Sequence, residues 1–279
     1  ADYLNHDKKT EDLGFDNSRL SYIPEYFSSY VEQERIPNFV CLVSRFGEVA
    51  HYSHQGFKNT ESQDEINNET IFRIYSMTKP ITSVAIMMLY ERGLIRLEHE
   101  LYRYLPEFKN TEAWEKGDIN NYKTKPLNNP ILIRDLLTHT AGFTYDFMLG
   151  HPAIGLYRKN GLHDYKNIET KEEMDLEEFC NKLSTLPLLF EPGEKWHYSC
   201  SIDILGRVVE VVSGMKLDAF FRENIFNPLE MFDTGFNVEK DKLDRFSDCY
   251  QTMLGSKKKN MTLSHVAGDD EFSKSRNFL

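Results

Sequence analysis

The stretch from Ile71 to Tyr90, IFRIYSMTKPITSVAIMMLY, constrains this chain more than any other. A short apolar run, Ile71, Phe72, Ile74 and Tyr75, leads into Ser76, and Lys79 follows three residues later. Beyond Lys79 the segment is apolar with small residues: Ile81, Val84, Ala85, Met87, Met88 and Leu89. This order predicts a strand, then the serine, then a buried helix, which places a hydroxyl at a helix N-terminus facing a cleft. Residues i and i+3 share a helix face, so Ser76 and Lys79 can touch. A lysine beside a serine serves as general base when burial or positive neighbours destabilise its ammonium.

The spacing alone is common. S-x-x-K occurs three times, at Ser76 to Lys79, Ser213 to Lys216 and Ser256 to Lys259. A surface serine beside a solvated lysine is the ordinary reading of any one of them. The third lies in the polar GSKKKN, and the second contains Gly214, which reads as a helix stop. Only Ser76 has an apolar run on both sides.

The totals remove several function classes. The 279 residues carry a formal net charge of -11, a poor balance for holding a phosphate backbone, so no nucleic-acid partner is expected. No apolar run approaches membrane-spanning length, since Thr82 and Ser83 interrupt the longest candidate. H-E-x-x-H is absent and the nine histidines are scattered, so neither a metal nor another cofactor is expected. G-x-S-x-G is absent too, which argues against a Ser-His-Asp hydrolase of the α/β type. Cys41, Cys180, Cys200 and Cys249 form no C-x-x-C pair and read as unpaired thiols of a reducing compartment, which favours the cytoplasm. The N-terminus begins ADYLNHDKK without a starting Met, which leaves room for a removed leader.

In chain order, Asn17 or Ser18 is expected to cap a first helix bearing Leu20, Ile23, Phe27, Tyr30 and Val31. Residues 39–45 and 48–54 read as strands of a hairpin joined at Phe46-Gly47. His51 and His54 would then point to opposite faces, which argues against a metal pair. The helix after Ser76 should stop near Gly93, and residues 109–130, rich in Asn, Lys and Pro, read as a surface excursion. Residues 131–137 read as a short helix. His139, next along, is expected to hold its loop by hydrogen bonds rather than act as a base. Residues 143–170 read as an aromatic flap with Phe143, Tyr145, Phe147, Tyr157 and Tyr165. Helices are expected at 175–183, 202–212 and about 217–225, and a strand at 232–238.

Several segments together resemble one family, the penicillin-recognising serine hydrolases, and within it the class C β-lactamase-like esterases and transferases. They are FRIYSMTKPITSVAIMMLYERGLIRL, YLPEF, IRDLLTHTAGF, FEPGEKWHYS, DILGRVVEVVSG and NPLEMFDTGF, in the family's order and covering most of residues 35–240. The resemblance implies an α/β (α+β) fold, an antiparallel sheet flanked by helices plus an all-helical domain. Residues 1–75 would begin the sheet domain, 76–230 would form the mainly helical domain with the active-site motifs, and 231–279 would return toward the sheet. It further implies an acyl-enzyme mechanism with Ser76 as nucleophile, Lys79 beside it, and Tyr198 as the tyrosine of the helical domain. The substrate mouth would be lined by Phe143 and Tyr145 of the flap and by Trp196.

One departure bears on substrate. β-Lactamases of this class carry Tyr-x-Asn, whose asparagine binds the lactam side-chain amide, whereas this triplet is Tyr198-Ser199-Cys200. A thiol is a poor amide partner, and the family's esterases commonly lack that Asn. A small-molecule ester or acyl donor is therefore the expected substrate. The alternatives are a β-lactamase or D-amino-acid peptidase, or a catalytically silent relative that binds a ligand or acts structurally. The family's closing strands and their Lys-Thr-Gly-like motif have no counterpart after Tyr198. The expectation is a fragment, or a second chain that completes the sheet, with half of the oxyanion hole absent and residues 39–54 presenting an unpaired edge.

Overall fold

The computed structural model describes residues 9–162, 174–252 and 261–265. Tyr165, the Ser256 to Lys259 pair and the C-terminal tail lie outside the described residues. The architecture mixes helices with antiparallel sheet, and the chain divides into two compact units. One comprises residues 1–73 and 237–274, the other 74–236 and 275–279.

The first unit opens with α1 (Asn17–Leu20) and α2 (Tyr22–Glu32). The cap of α1 is Asp16, one residue before the expected pair. Its carboxylate accepts from the N–H groups of Ser18 and Arg19, and an acid there also complements the helix dipole. Strands β1 (Asn38–Arg45) and β2 (Glu48–Asn59) form the expected hairpin. Phe46 (φ 56°) and Gly47 (φ 79°) both sit in the left-handed region, the backbone a two-residue turn needs to match strand twist. β2 runs past residue 54 to pair with β3 (Asp64–Glu65), giving the order β1-β2-β3. Among the described residues β1 pairs only with β2, and its Val40 and Leu42 side chains are exposed.

The strand expected at 71–75 is a single bridge. Ile71 N–H donates to Arg245 O, Ser247 N–H donates to Ile71 O, and the pairing ends there. Arg73 donates to Ser247 O and lies 4.3 Å over the Phe246 ring. Beyond it, Ile74 already has turn dihedrals.

The second unit is built on α3 (Thr78–Glu91), whose Ala85, Ile86 and Leu89 are fully buried. Each such leucine or isoleucine contributes roughly 1.5–3 kcal/mol by leaving water. The expected surface excursion contains a hairpin instead, β4 (Glu112–Gly117) with β5 (Tyr122–Pro126). Trp114 is buried, its ring stacks on Tyr122 at 4.8 Å, and its backbone N–H donates to Leu188 O. The lysines of β5 are solvated and hide this pattern in the sequence. Helices α4 (Ile133–Leu137), α5 (Ile154–Lys159) and α6 (Leu176–Ser184) follow. Asp175 caps α6 by accepting from Glu178 N–H.

The central helix of this unit is α7 (Ser201–Ser213), which packs on α3, α4, α6 and α8 (Leu217–Phe221). Its Ile204, Leu205, Val208 and Val209 are fully buried, and Gly214 (φ 71°) ends it. α8 continues into a wider π turn over Arg222–Phe226. The strand expected at 232–238 does not form. Thr234 N–H turns back to Met231 O, and Phe236 stacks on Phe221 at 5.7 Å.

Back in the first unit, β6 (Cys249–Thr252) pairs with β7 (Met261–His265). Asn59 holds this return by donating to the Asp248 carboxylate at 2.6 Å. No helix among the described residues is long and apolar enough to cross a membrane.

Candidate active site

Ser76 sits in a 3-10 turn over Tyr75–Met77 that runs directly into α3. The residue before it, Tyr75, has φ 40°, an uncommon conformation for a bulky side chain that costs on the order of 1–3 kcal/mol. That sharp entry leaves the Ser76 side chain exposed while Lys79, in the first turn of α3, is half-buried. The Lys79 Nζ donates to Ser76 Oγ at 3.1 Å.

Tyr198 comes from much later in the chain. The Glu191-Pro192-Gly193 turn, with Gly193 at φ 83°, redirects the chain. His197 N–H then donates to His139 O at 2.9 Å, and the His197 ring meets the Thr144 hydroxyl at 2.8 Å. These bonds pin the segment just before α7, and the Tyr198 hydroxyl lies 2.7 Å from Ser76 Oγ. Gly142 makes the neighbouring loop possible: at φ 94° it passes so close to Phe190 that a Cβ would lie 2.5 Å from its carbonyl oxygen.

The Lys79 Nζ lies 5.0 Å from the centroid of the Tyr198 ring and 5.5 Å from that of Tyr145. Two aromatic faces thus bracket one positive charge. Burial alone would raise the Tyr198 hydroxyl. The hydrogen bonds to Ser76 and Lys79, with the Lys79 charge, outweigh it and hold Tyr198 below the usual phenol value. The hydroxyl therefore releases its proton more readily than an ordinary phenol.

Asp203 stands in the first turn of α7, and burial pushes its carboxyl up to about 6 against the opposing pull of the Lys79 charge, its own backbone N–H and the Tyr145 hydroxyl. Sequence reasoning passed over it because an acid in a first turn reads as a dipole partner. The available signal was its position between Ile202 and Ile204, on a helix otherwise apolar at that end.

The other expected residues divide. Trp196 is 66% exposed, and its ring lies 6.4 Å from that of Tyr198 at 28°. Tyr145 is 6% exposed and belongs to the inner wall, with Phe147 stacked on its outer face at 4.8 Å and 58% exposed. Phe143 is 1% exposed and meets Phe108 edge-on at 5.9 Å within the hydrophobic core. Tyr157, also assigned to the flap, is buried in the same core. His139 is half-buried at φ 56°, its Nδ1 3.2 Å from Ser199 Oγ. Burial, Lys79 and His197 all lower its pKa. Cys200 is fully buried, and burial pushes its thiol well above the ordinary value.

A family model described as Beta-lactamase matches residues 23–267. The chain belongs to the beta-lactamase family. Among curated relatives, this beta-lactamase family chain is 34% identical over 210 residues to "Esterase EstB" of Burkholderia gladioli, covering 75% of this chain and 50% of that protein. It is 29% identical over 255 residues to "Acyltransferase mokF" of Monascus pilosus, covering 86% of this chain and 59% of that one. The chain thus spans about half the length of these curated relatives. Among solved structures it superposes with a TM-score of 0.69 at 27% identity on EstCE1, a hydrolase with promiscuous acyltransferase activity, covering 92% of this chain and 65% of that one. With simvastatin synthase from Aspergillus terreus the TM-score is 0.71 at 25% identity, over 88% and 60% of the two chains.

Proposed function

We propose that this protein is a serine hydrolase or acyltransferase acting on carboxylic esters through an acyl-enzyme at Ser76. The observation that carries the reading is the convergence of the Tyr198 hydroxyl at 2.7 Å and the Lys79 Nζ at 3.1 Å on one Ser76 oxygen. Ser76 Oγ attacks the acyl carbonyl carbon while its proton passes to the oxygen of Tyr198 in its phenolate form, which the neighbouring Lys79 ammonium favours. The resulting tetrahedral oxyanion is met by the Ser76 backbone N–H, one donor of the required hole. When the ester C–O bond breaks, Tyr198 returns the proton to the leaving alcohol. Water or a second alcohol then attacks the acyl-Ser76 ester by the same exchange in reverse.

Esters are favoured over lactams because Cys200 stands where a β-lactamase has its amide-binding asparagine. The thiol is buried, so it offers a substrate amide no partner. The names of the relatives, an esterase and an acyltransferase, support the same choice. Acyl transfer to an alcohol is kept beside hydrolysis because both are named for the structural neighbour EstCE1. The test is a fluorophosphonate probe followed by peptide mass spectrometry, alongside p-nitrophenyl esters of graded length and a chromogenic cephalosporin. The reading expects label on Ser76 and turnover of esters in preference to the cephalosporin. Labelling at another residue, or cephalosporin turnover exceeding every ester, would overturn it.

A further inference from the structure

Tyr198 holds its hydroxyl 2.7 Å from Ser76, yet it sits in the irregular stretch before α7, outside any helix or strand. Such a stretch has no ladder of its own to fix it, so its polar groups must be held by neighbours. Those neighbours come from one loop, residues 139–144. His139 O accepts from His197 N–H at 2.9 Å, the Thr144 hydroxyl meets the His197 ring at 2.8 Å, and Thr144 O accepts from Cys200 N–H at 3.4 Å. Earlier in the same stretch, Gly193 N–H donates to Thr140 O and Leu189 N–H donates to Gly142 O, each at 2.8 Å. The loop is thus laced along the segment that carries Tyr198.

His139 engages this segment on both sides of Tyr198. Its carbonyl holds residue 197, and its Nδ1 lies 3.2 Å from the Ser199 hydroxyl. Between those two grips, its ring lies 5.0 Å from the Tyr198 ring at 46°. The backbone at His139 is left-handed, φ 56°, and carbonyl and ring face the one segment from there. Ser199 is 1% exposed, and its Oγ lies 2.7 Å from that of the buried Ser201, the first residue of α7. The grip therefore ends on the helix that packs against α3, which carries Lys79. Closing a loop needs one such bond; two bonds astride one residue, with a ring contact on that residue, fix where its side chain stands.

We propose that His139 is a positioning residue of this site: it clamps residues 197 and 199, packs its ring on Tyr198, and so keeps the Tyr198 hydroxyl on Ser76. The catalytic consequence rests on Ser76 and Tyr198 acting as proposed above, whereas the placement of Tyr198 does not need turnover. In this scheme His139 takes no proton from Ser76 and acts only through the tyrosine. Misplacing a reacting group by about 1 Å costs on the order of 100-fold in rate, so a clamp of this kind acts on kcat more than on KM.

The test uses the full chain with tyrosine carrying carbon-13 at Cζ, where the Tyr198 signal is the one lost in Tyr198→Phe. His139→Gly accepts the left-handed backbone and removes the ring with its bond. His139→Asn also accepts that backbone and keeps a polar atom where Nδ1 stands. Ser199→Ala removes the same bond from the other end. His139→Gly and Ser199→Ala should each lower kcat for p-nitrophenyl acetate by on the order of tenfold while KM changes less, and should move the Tyr198 signal toward that of free tyrosine. Their double variant should lose less than the product of the two, since both break one bond. His139→Asn should keep most of kcat and the parent's Tyr198 signal. An unmoved Tyr198 signal in both His139→Gly and Ser199→Ala overturns the proposal, as does His139→Asn losing as much as His139→Gly. If His139→Gly fails to fold, the signal in Ser199→Ala decides alone. If Ser76→Ala retained ester turnover, the functional reading would fail while the Tyr198 signal still decided this one.

Discussion

The hydroxyls of Ser76 and Tyr198 lie 2.7 Å apart although 122 positions separate them in the chain. One rides on the turn that opens α3 and the other on the segment that opens α7, and the two helices pack directly on each other. The distance is set by the packed pair of helices together with the bonds from His197 to His139 and Thr144 that hold the segment before α7. Proton transfer over a contact this short needs no rearrangement of the fold before reaction.

Ser76→Ala should abolish ester turnover and fluorophosphonate labelling while leaving the far-ultraviolet circular dichroism spectrum unchanged. The side chain is exposed and the replacement is small, so the stability change should stay within about 0.5 kcal/mol. Wild-type turnover in this variant would remove Ser76 from the mechanism.

Tyr198→Phe and Lys79→Ala should each slow acylation by about 100-fold or more, the scale of losing a positioned acid or base. The burst phase with p-nitrophenyl acetate measures the step. The double variant should lose less than the product of the two single losses, because both groups act on one Ser76 proton. Fully multiplicative losses would show that they work independently.

Asp203→Asn should make the protein more stable at neutral pH than the parent. The folded-state pKa of this carboxyl is raised to about 6, so between the unfolded value of about 4 and that point the folded chain binds more protons than the unfolded one. Its contribution is thus fully present below about pH 4 and lost as pH rises through 6. The difference between variant and parent should grow across that window to on the order of 2 kcal/mol and vanish at the acid end. Urea unfolding at several pH values checks it; a parent that gains stability relative to the variant as pH rises has the opposite sign.

Trp196→Ala and Phe143→Ala should separate what the sequence placed together. The exposed Trp196 should change the preference among p-nitrophenyl esters of different chain length with little effect on melting. Phe143→Ala empties core against Phe108 and should cost about 3–5 kcal/mol, with the ester profile retained in the protein that remains folded. A selective change in chain-length preference from Phe143→Ala would return that residue to the mouth.

Much of this arrangement was legible because local signals and burial agreed. The 39–54 hairpin carried its Phe46-Gly47 turn, α7 carried its apolar stripe and Gly214, and α3 was apolar along its length. The failures have physical causes. Residues 71–75 look like a strand by composition, but only Ile71 has a partner before the backbone turns to expose Ser76. The β4–β5 hairpin is pinned by Trp114 and by a bond to Leu188, more than seventy residues on, which no local pattern encodes. Phe143 and Trp196 are both aromatic, and nothing in composition tells which one faces water.

The bracket around Lys79 also bears on how such a site can change over generations. Lys79 lies against the Tyr145 and Tyr198 rings and donates to Ser76, whose Oγ also meets the Tyr198 hydroxyl, so altering one disturbs several contacts at once. Trp196 and Phe147 stand at the edge of that knot, largely in water. Drift is thus cheap at the rim and costly within. Under the acyl transfer proposed above, a lineage built this way can explore new acyl and alcohol groups at the rim while the chemistry at Ser76 stands still, and relatives bearing the names esterase and acyltransferase are what such a division of labour would leave behind.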